Sequence, residues 1–510
     1  VISSAQRRLL VSVGTVLATL LYAVDTTIVN VALPHIQGTL QATQEQAAWI
    51  VTSYIVVSAI AMPLAGWLGM RYGLRAVLGI AVAGFTLASV LCGVADSLAG
   101  MVAARILQGV CGAALVPLSQ VALLQEFPYE KHGQVMALWS LGVMVGPVIG
   151  PTLGGWLTDE WSWRWAFFVN VPFGAVAFVV LMRGLPARRD ATGARPFDWL
   201  GFVLLSVALG GFQLMLDRGH TLDWFESPEI MAEAFCAALC GGMFIVHAVT
   251  TRHAFVDPTL FRDRNLAVAL LLMFTIGLGI ISPTVLVPSF LQSIQGYPAA
   301  DAGVIQASRG VGAMIAVIIA GRFVSHVPPR ILIGAGILCG VASLLLLGGI
   351  SVDAPREYLA LSGLVNGLSS PLVFVPLSTT AYATLLPSQR AEAGALLTLV
   401  RTMGSSIGVS AVVALLARDT QINQSYLVEG FTAYSTDRWQ QLGFEPGANA
   451  STAGLVGEIT RQAAAIGYSN DYYWLALTTL LVLPLAWLVR SRPAAPGKAA
   501  QPDLEVIEGM

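Results

Sequence analysis

Apolar runs of spanning length recur along the whole of this 510-residue chain, and that recurrence leaves few folds open. About 20 consecutive apolar residues make a helix that matches the hydrocarbon thickness of a bilayer. Read this way, the runs predict fourteen helices, near 9–34, 48–69, 76–96, 98–123, 133–157, 163–184, 198–217, 230–251, 266–291, 301–321, 331–350, 357–383, 391–417 and 472–490. Composition agrees: only 11% of residues are charged and 56% are hydrophobic, too little charge to cover a water-soluble protein of this size. The expected class is an all-α polytopic membrane protein. A net charge of −2 provides no basic field for nucleic acid.

Charge between the runs alternates, as the positive-inside rule requires of a correct span count. With the N-terminus in the cytoplasm, the inner segments hold Arg7, Arg8, Arg71, Arg75, Lys131, Arg188, Arg189, Arg322, Arg330 and Arg390, while outer segments carry acids such as Asp159, Glu160, Asp223 and Glu226. Both termini then lie in the cytoplasm. The expected organisation is a six-helix bundle over 1–184, a cytoplasmic linker at 185–197, two inserted helices over 198–251, a second six-helix bundle over 252–490 and a cytoplasmic tail at 491–510. Residues 418–471, with Trp439, Gly443, Pro446 and Gly447, read as a long outer loop too polar to span.

The two bundles look like copies. Gln108–Ser119 reads QGVCGAALVPLS and Asn366–Ser378 reads NGLSSPLVFVPLS, while Gly66 and Arg75 are spaced as Gly321 and Arg330 are. Both matches have offsets near 255–259 residues, and internal repeats are how secondary transporters are built.

Asp25 is the one acid inside the first apolar run, where a charge costs about 2.5–3.5 kcal/mol by insertion scales. A cleaved signal segment would be shorter and would not carry a mid-segment acid. At 1.5 Å per residue Asp25 lies roughly 14 Å, and Arg105 of the fourth run roughly 10 Å, from the outer surface. The depths suit an ion pair, which could serve proton coupling or be static structure. Arg309 and Arg401 also fall within runs, and each could read an anion or satisfy a helix end.

Gly142, Gly146, Gly150 and Gly154 recur at every fourth position, with Pro147 and Pro151 between them. That spacing bares one helix face for close approach by a neighbour, and the prolines free carbonyls and bend the rod. The loop from Gly66 to Arg75, with Arg71 and Gly73, is short, glycine-rich and basic. The five cysteines lie in apolar segments as small packing residues. Gly404–Gly408 fits a hydrolase pattern, but mid-span with no strand before it, so it reads as helix packing and no enzyme is expected. No Walker lysine-serine pair offers ATP a site.

LYAVDTTIVNVALPHI in the first run, the Gly66–Arg75 loop, RILQGVCGAALVPLSQ in the fourth and GPVIGPTLGG in the fifth resemble the major facilitator superfamily. The closest likeness is to its fourteen-helix drug:proton antiporters of the EmrB/QacA type, with LDRGHTLDWF and VDPTLFRDRN favouring EmrB. The resemblance implies two six-helix bundles rocking around a central cavity in a bacterial inner membrane, driven by protons without a cofactor. It implies export of hydrophobic or amphipathic compounds, and work with a periplasmic adaptor and an outer-membrane channel, for which 418–471 is either a docking surface or a cap over the cavity. It assigns proton coupling to Asp25 and Arg105, and the antiporter motif to the glycine-proline run through Gly155. Candidates to line the cavity are Asn30, Trp49, Tyr54, Gln108, Trp139, Phe290, Arg309, Asn366 and Arg401. Met70 stands where the superfamily's loop motif has an acid, which puts a charge-relay lock there in doubt. Within the later helices the acids available are Asp301 and Glu392, both near span ends, which leaves Asp25 as the main proton carrier. The rival readings are a transporter of one defined metabolite or fatty acid, and a non-transporting membrane receptor.

Overall fold

The computed structural model describes residues 3–128, 131–186, 197–219, 221–251, 254–324, 326–386, 389–429 and 449–489. All regular structure among these residues is helical. In chain order the helices are α1 Ser4–Thr39, α2 Gln44–Tyr72, α3 Leu74–Gly93, α4 Leu98–Gly112, α5 Leu115–Glu126, α6 His132–Glu160 and α7 Asn170–Gly184. There follow α8 Trp199–Arg218, α9 Pro228–Thr250, α10 Arg264–Ile276, α11 Pro283–Ser293, α12 Ala299–Phe323, α13 Pro329–Gly348, α14 Arg356–Ala383, α15 Arg390–Glu429 and α16 Asn449–Leu481. Thirteen described stretches are long and apolar enough to cross a membrane, and α6, 29 residues long, fills the fifth place in their order.

Two rods are each made of two helices. α4 and α5 are parted at Ala113 and Ala114, because Pro117 has no N–H to offer the Ala113 carbonyl. α10 and α11 are joined by a wider π turn at Gly277–Ile281, just before Pro283, which likewise cannot donate.

In the first bundle α1 packs against α6 and α7, and α4 against α2 and α3. In the second, α14 packs against α12 and α13, and α16 against α13 and α15. The halves meet along α6 with α12 and α2 with α15. The inserted pair α8 and α9 pack together, and α8 leans on both α2 and α15. Polar contacts fix it there: Thr52 with Asp217, Gln213 Nε2 donating to Ser406 Oγ at 3.0 Å, and Ser410 Oγ donating to the Leu216 carbonyl at 2.8 Å. At the start of α8, burial would raise the Asp198 carboxyl, but the Gly201 N–H, His247 and the Phe255 N–H outweigh it and hold that group below the usual carboxylate range.

Two sequence expectations change. Residues 418–429 and 449–471 are not loop but the extended ends of α15 and α16. Their polar side chains pair between the helices: Gln424 Nε2 donates to Thr460 Oγ1 and Asn470 Nδ2 to Asp419 Oδ2, both at 3.1 Å, while Leu427 packs on Leu455 and Ile459. Trp439, Gly443, Pro446 and Gly447 lie outside the described residues. So do most of the linker, 187–196, and the tail. The basic loop is also shorter than expected, since Gly66, Met70 and Arg71 lie in α2 and only Gly73 stands between helices. Gly73 has φ +84°, a conformation that a side chain resists, and this permits so tight a turn into Arg75 of α3. α6 is helical from end to end through Pro147 and Pro151, whose side chains lie outside the described residues.

The glycine face of α6 lies against α1. A carbon added at Gly142 would meet the Val16 carbonyl at 3.0 Å, at Gly146 Val24 N at 2.9 Å, at Gly150 the Val24 carbonyl at 3.3 Å and at Gly154 the Ile28 carbonyl at 3.1 Å. At Gly155 it would meet only Val31, at an ordinary 3.8 Å. Gly146→Leu should therefore overpack the interface and destabilise by about 1–3 kcal/mol, whereas Gly155→Ala should be silent. Thermal unfolding in detergent checks this; equal midpoints for both variants would refute the close-approach reading.

Candidate functional site

Four helices of the first bundle each deliver polar groups to one buried point. α1 brings Asp25. α4 brings Arg105 and Gln108, three apart and so on one face. α3 brings Ser89 and Cys92 with the same spacing, and the first residue of α7 is Asn170. All six are buried, Asp25 and Gln108 with no exposed surface.

Arg105 Nη1 donates to Asp25 Oδ2 at 2.7 Å and to Gln108 Oε1 at 2.6 Å, and its Nε donates to the Ile50 carbonyl at 3.1 Å. Gln108 Nε2 donates to Asp25 Oδ1 at 2.8 Å and to Ser89 Oγ at 2.7 Å. Asn170 Nδ2 donates to the same two atoms at 3.2 Å each. The Arg105 guanidinium lies 4.1 Å above the Tyr54 ring, and Tyr22 leans on Tyr54 at 6.1 Å. Both oxygens of Asp25 are thus engaged by donors that suit the ionised form. A buried ion pair is tolerated where hydrogen bonds satisfy its remaining valences, and removal of one partner costs about 3–5 kcal/mol.

Of the sequence candidates, the structure brings Asp25, Arg105, Gln108 and Tyr54 together. Gln108 and Tyr54, expected in the cavity wall, belong to this cluster instead, because Gln108 sits one turn from Arg105 on α4. Ser89, Cys92 and Asn170 do not stand out in the sequence as site residues, because neutral polar residues in apolar runs carry no charge signal and gain their role only where α3 and α7 meet Arg105 and Gln108.

A second group lies between the bundles. Trp139 of α6 stacks on Phe374 of α14 with centroids 5.6 Å apart, and Arg401 of α15 lies 5.9 Å from the same Phe374 ring. The remaining candidates are dispersed. Asn30 is exposed and donates to the Thr26 carbonyl of its own helix. Trp49 faces Arg218 at 5.5 Å, and Phe290 packs on Tyr468 at 5.3 Å inside the second bundle. Arg309 is half-buried on α12, its carbonyl pressed against Gly367, and Asn366 beside it is buried with Nδ2 unpartnered. The expectation that Asp301 and Glu392 are the acids of the later helices fails, since Asp471 of α16 is 1% exposed. In sequence it closes the stretch 418–471, which reads as loop because the residues before it are polar.

At the Arg-rich end the halves touch. A carbon on Gly66 would meet the Ala391 carbonyl at 3.1 Å, one on Gly321 would meet Ala137 at 3.1 Å, and Tyr382 Oη donates to Gln120 Oε1 at 3.0 Å. Leu115–Leu124 of α5 is wholly buried there.

Two halves built alike and meeting along paired helices form a known architecture, and residues 15–409 match the sequence profile of the Major Facilitator Superfamily. The chain belongs to the major facilitator superfamily. It is a multi-pass membrane protein. Within the superfamily it is 34% identical over 481 residues to the fatty acid resistance protein FarB of Neisseria gonorrhoeae, covering 93% of this chain and 94% of that one. It is 34% identical to the multidrug export protein EmrB of Haemophilus influenzae, covering 94% and 96%, and 32% identical to EmrB of Escherichia coli K12, covering 93% and 94%. These likenesses bear out the EmrB-type resemblance. Among solved superfamily structures, the proton:xylose symporter XylE aligns with a TM-score of 0.60 over 96% of this chain and 100% of its own, at 14% identity. The human organic anion transporter MFSD10 aligns at 0.58 over 94% and 99%, also at 14%. Both show the fold.

Asn170→Leu keeps the bulk of the side chain while leaving Asp25 and Ser89 one donor short, so it should cost about 1–3 kcal/mol. A midpoint of thermal unfolding in detergent unchanged from the parent would mean that Asn170 is not needed by the cluster.

Proposed function

We propose that this protein is a proton-coupled multidrug efflux antiporter of a bacterial inner membrane, with both termini in the cytoplasm, that exports hydrophobic or amphipathic compounds. The observation that carries the proposal is the Asp25 cluster: a carboxylate with no exposed surface, bonded to side chains from α4 and α7 and stabilised by Arg105. Protonation of Asp25 removes the charge that Arg105, Gln108 and Asn170 converge on, so it weakens contacts among α1, α4 and α7 together. A proton bound from outside thereby changes how one bundle is held, and its loss inside restores the tie. Movement of one charge through 100 mV supplies about 2.3 kcal/mol. The relatives named as multidrug export proteins support the substrate class. The buried aromatic stack of Trp139 on Phe374 places apolar rings between the bundles, to be uncovered when these part. Arg401 beside it, with the relative named for fatty acid resistance, supports an anionic amphiphile as the alternative substrate.

The extended ends of α15 and α16, with residues 430–448 between them, form in this reading a docking surface for a periplasmic adaptor that leads to an outer-membrane channel. Replacement of 430–448 by a short Gly-Ser linker should then abolish cross-linking to the adaptor. Undiminished cross-linking would remove the docking role.

In vesicles with an imposed pH gradient, Asp25→Asn should fold yet lose gradient-driven dye efflux, and Arg105→Ala should lose it as well. Full efflux by Asp25→Asn sinks the proposal, and an unchanged pH dependence in Arg105→Ala would reduce the pair to structure. A compound panel that includes a long-chain fatty acid decides between the two substrate classes.

A further inference from the structure

Asp471 lies on α16 at the level where that helix leaves its polar extension, and it is 1% exposed with both carboxylate oxygens unpartnered. This is the opposite of Asp25, whose oxygens are both engaged. Apart from Asp419, its surroundings are apolar or neutral. On its own helix Tyr472 is fully buried with its hydroxyl unpartnered, Tyr468 Oη donates to Ser289 Oγ at 2.8 Å, and Glu458 pairs with Arg461 more than two turns away. From α15 the charged group facing it is Asp419, a like charge that is half-buried and accepts from Asn470 Nδ2; Arg418 beside Asp419 is exposed. α13 contributes Cys339 and Arg330 as its titratable groups, the latter beside Trp487 sixteen residues further along the chain. The π turn and α11 carry none. No described cation compensates this carboxyl.

A bare carboxylate in such a place is unfavourable twice over, through lost hydration and through repulsion from Asp419. We propose that Asp471, with Asp419 as its neighbour towards water, is a second proton-binding carboxylate of the transport cycle, seated in the second bundle and carrying a proton in this conformation. The proposal rests on the reading of the protein as a proton-coupled transporter. The setting also offers a means of change. The π turn Gly277–Ile281 packs against α16, with Gly279 against Thr479, whose hydroxyl is buried and unpartnered. π turns inside helices recur at functional sites. Motion at that contact can turn α16 and expose Asp471 to release its proton, so the carboxyl need not remain neutral through the cycle.

Infrared difference spectroscopy of the purified full chain reads the protonation without reference to transport. At neutral pH the wild type should show the C=O stretch of a protonated carboxylic acid that Asp471→Asn removes and Asp25→Asn leaves in place. A spectrum that Asp471→Asn leaves unaltered overturns the proposal. So does a band that disappears when choline is replaced by sodium at constant pH, which would assign the site to a metal cation. In proteoliposomes Asp471→Asn should keep gradient-driven efflux but lower the protons moved per substrate; an unchanged ratio overturns the transport role. Because the infrared band is independent of efflux, loss of the Asp25 mechanism alone leaves this test intact. Should Asp471→Asn misfold, Asp471→Glu keeps the carboxyl, and its acid band should appear at a shifted frequency; absence of any shift overturns the assignment.

Discussion

A carboxylate without exposed surface inside a membrane bundle exists only if its charge is fully answered, and the first bundle is arranged around answering Asp25. Arg105 supplies the counter-charge, Gln108 and Asn170 supply neutral donors, and Ser89 accepts from those two in turn. Each group comes from a helix that also packs against its neighbours, so the network fixes the relative depth of α1, α3, α4 and α7. Lipid offers no substitute hydrogen bonds, which makes the register of these helices a matter of polar satisfaction more than of apolar packing. The glycine face of α6 then lets α1 approach at backbone distance without disturbing the Asp25 face.

The second bundle repeats the helices but not the charge. At the offset of 258 that relates Gln108 to Asn366, Arg105 corresponds to Gly363. The arginine has been replaced by closeness: Gly363 admits Ser308, and Gly367 admits the Arg309 carbonyl. Asn366 keeps its place but not its partners, since its Nδ2 is unpartnered. Sequence duplication thus preserved geometry while the chemistry diverged. One bundle is tied by an ionic network, and the other is packed through small residues, with Pro371 and Pro376 inside α14.

Spans and the Asp25–Arg105 contact were legible because hydropathy and depth are one-dimensional quantities, counted along a helix at a fixed rise. What escaped depended on partners that no single segment reveals. Ser89 and Asn170 are unremarkable within their runs and gain meaning only when α3 and α7 meet α4. Residues 418–429 and 449–471 read as loop because a polar residue counts as water-facing in a hydropathy window, yet Gln424 and Thr460 satisfy each other between helices. The Gly66–Tyr72 stretch read as loop because glycine and arginine cluster there. In a membrane rod, however, glycine is a contact residue, and Gly66 spends its missing side chain on the Ala391 carbonyl.

That use of glycine bears on how the bundles move. The contacts that close the Arg-rich end are mostly small residues against backbone: Gly66 with Ala391, Gly321 with Ala137, Gly394 with the Pro117 carbonyl. Each atom pair in such a contact contributes only about 0.1–0.2 kcal/mol, and the hydrogen bond from Tyr382 to Gln120 adds about 0.5–1.5 kcal/mol. A few such terms are of the same order as the roughly 2.3 kcal/mol that one proton gains per 100 mV. The buried ionic network described here lies within the first bundle, where it preserves that bundle's shape, while the glycine contacts named between the bundles are individually weak and can be exchanged. A chain with the reverse arrangement would hold its halves together more firmly than the gradient could part them.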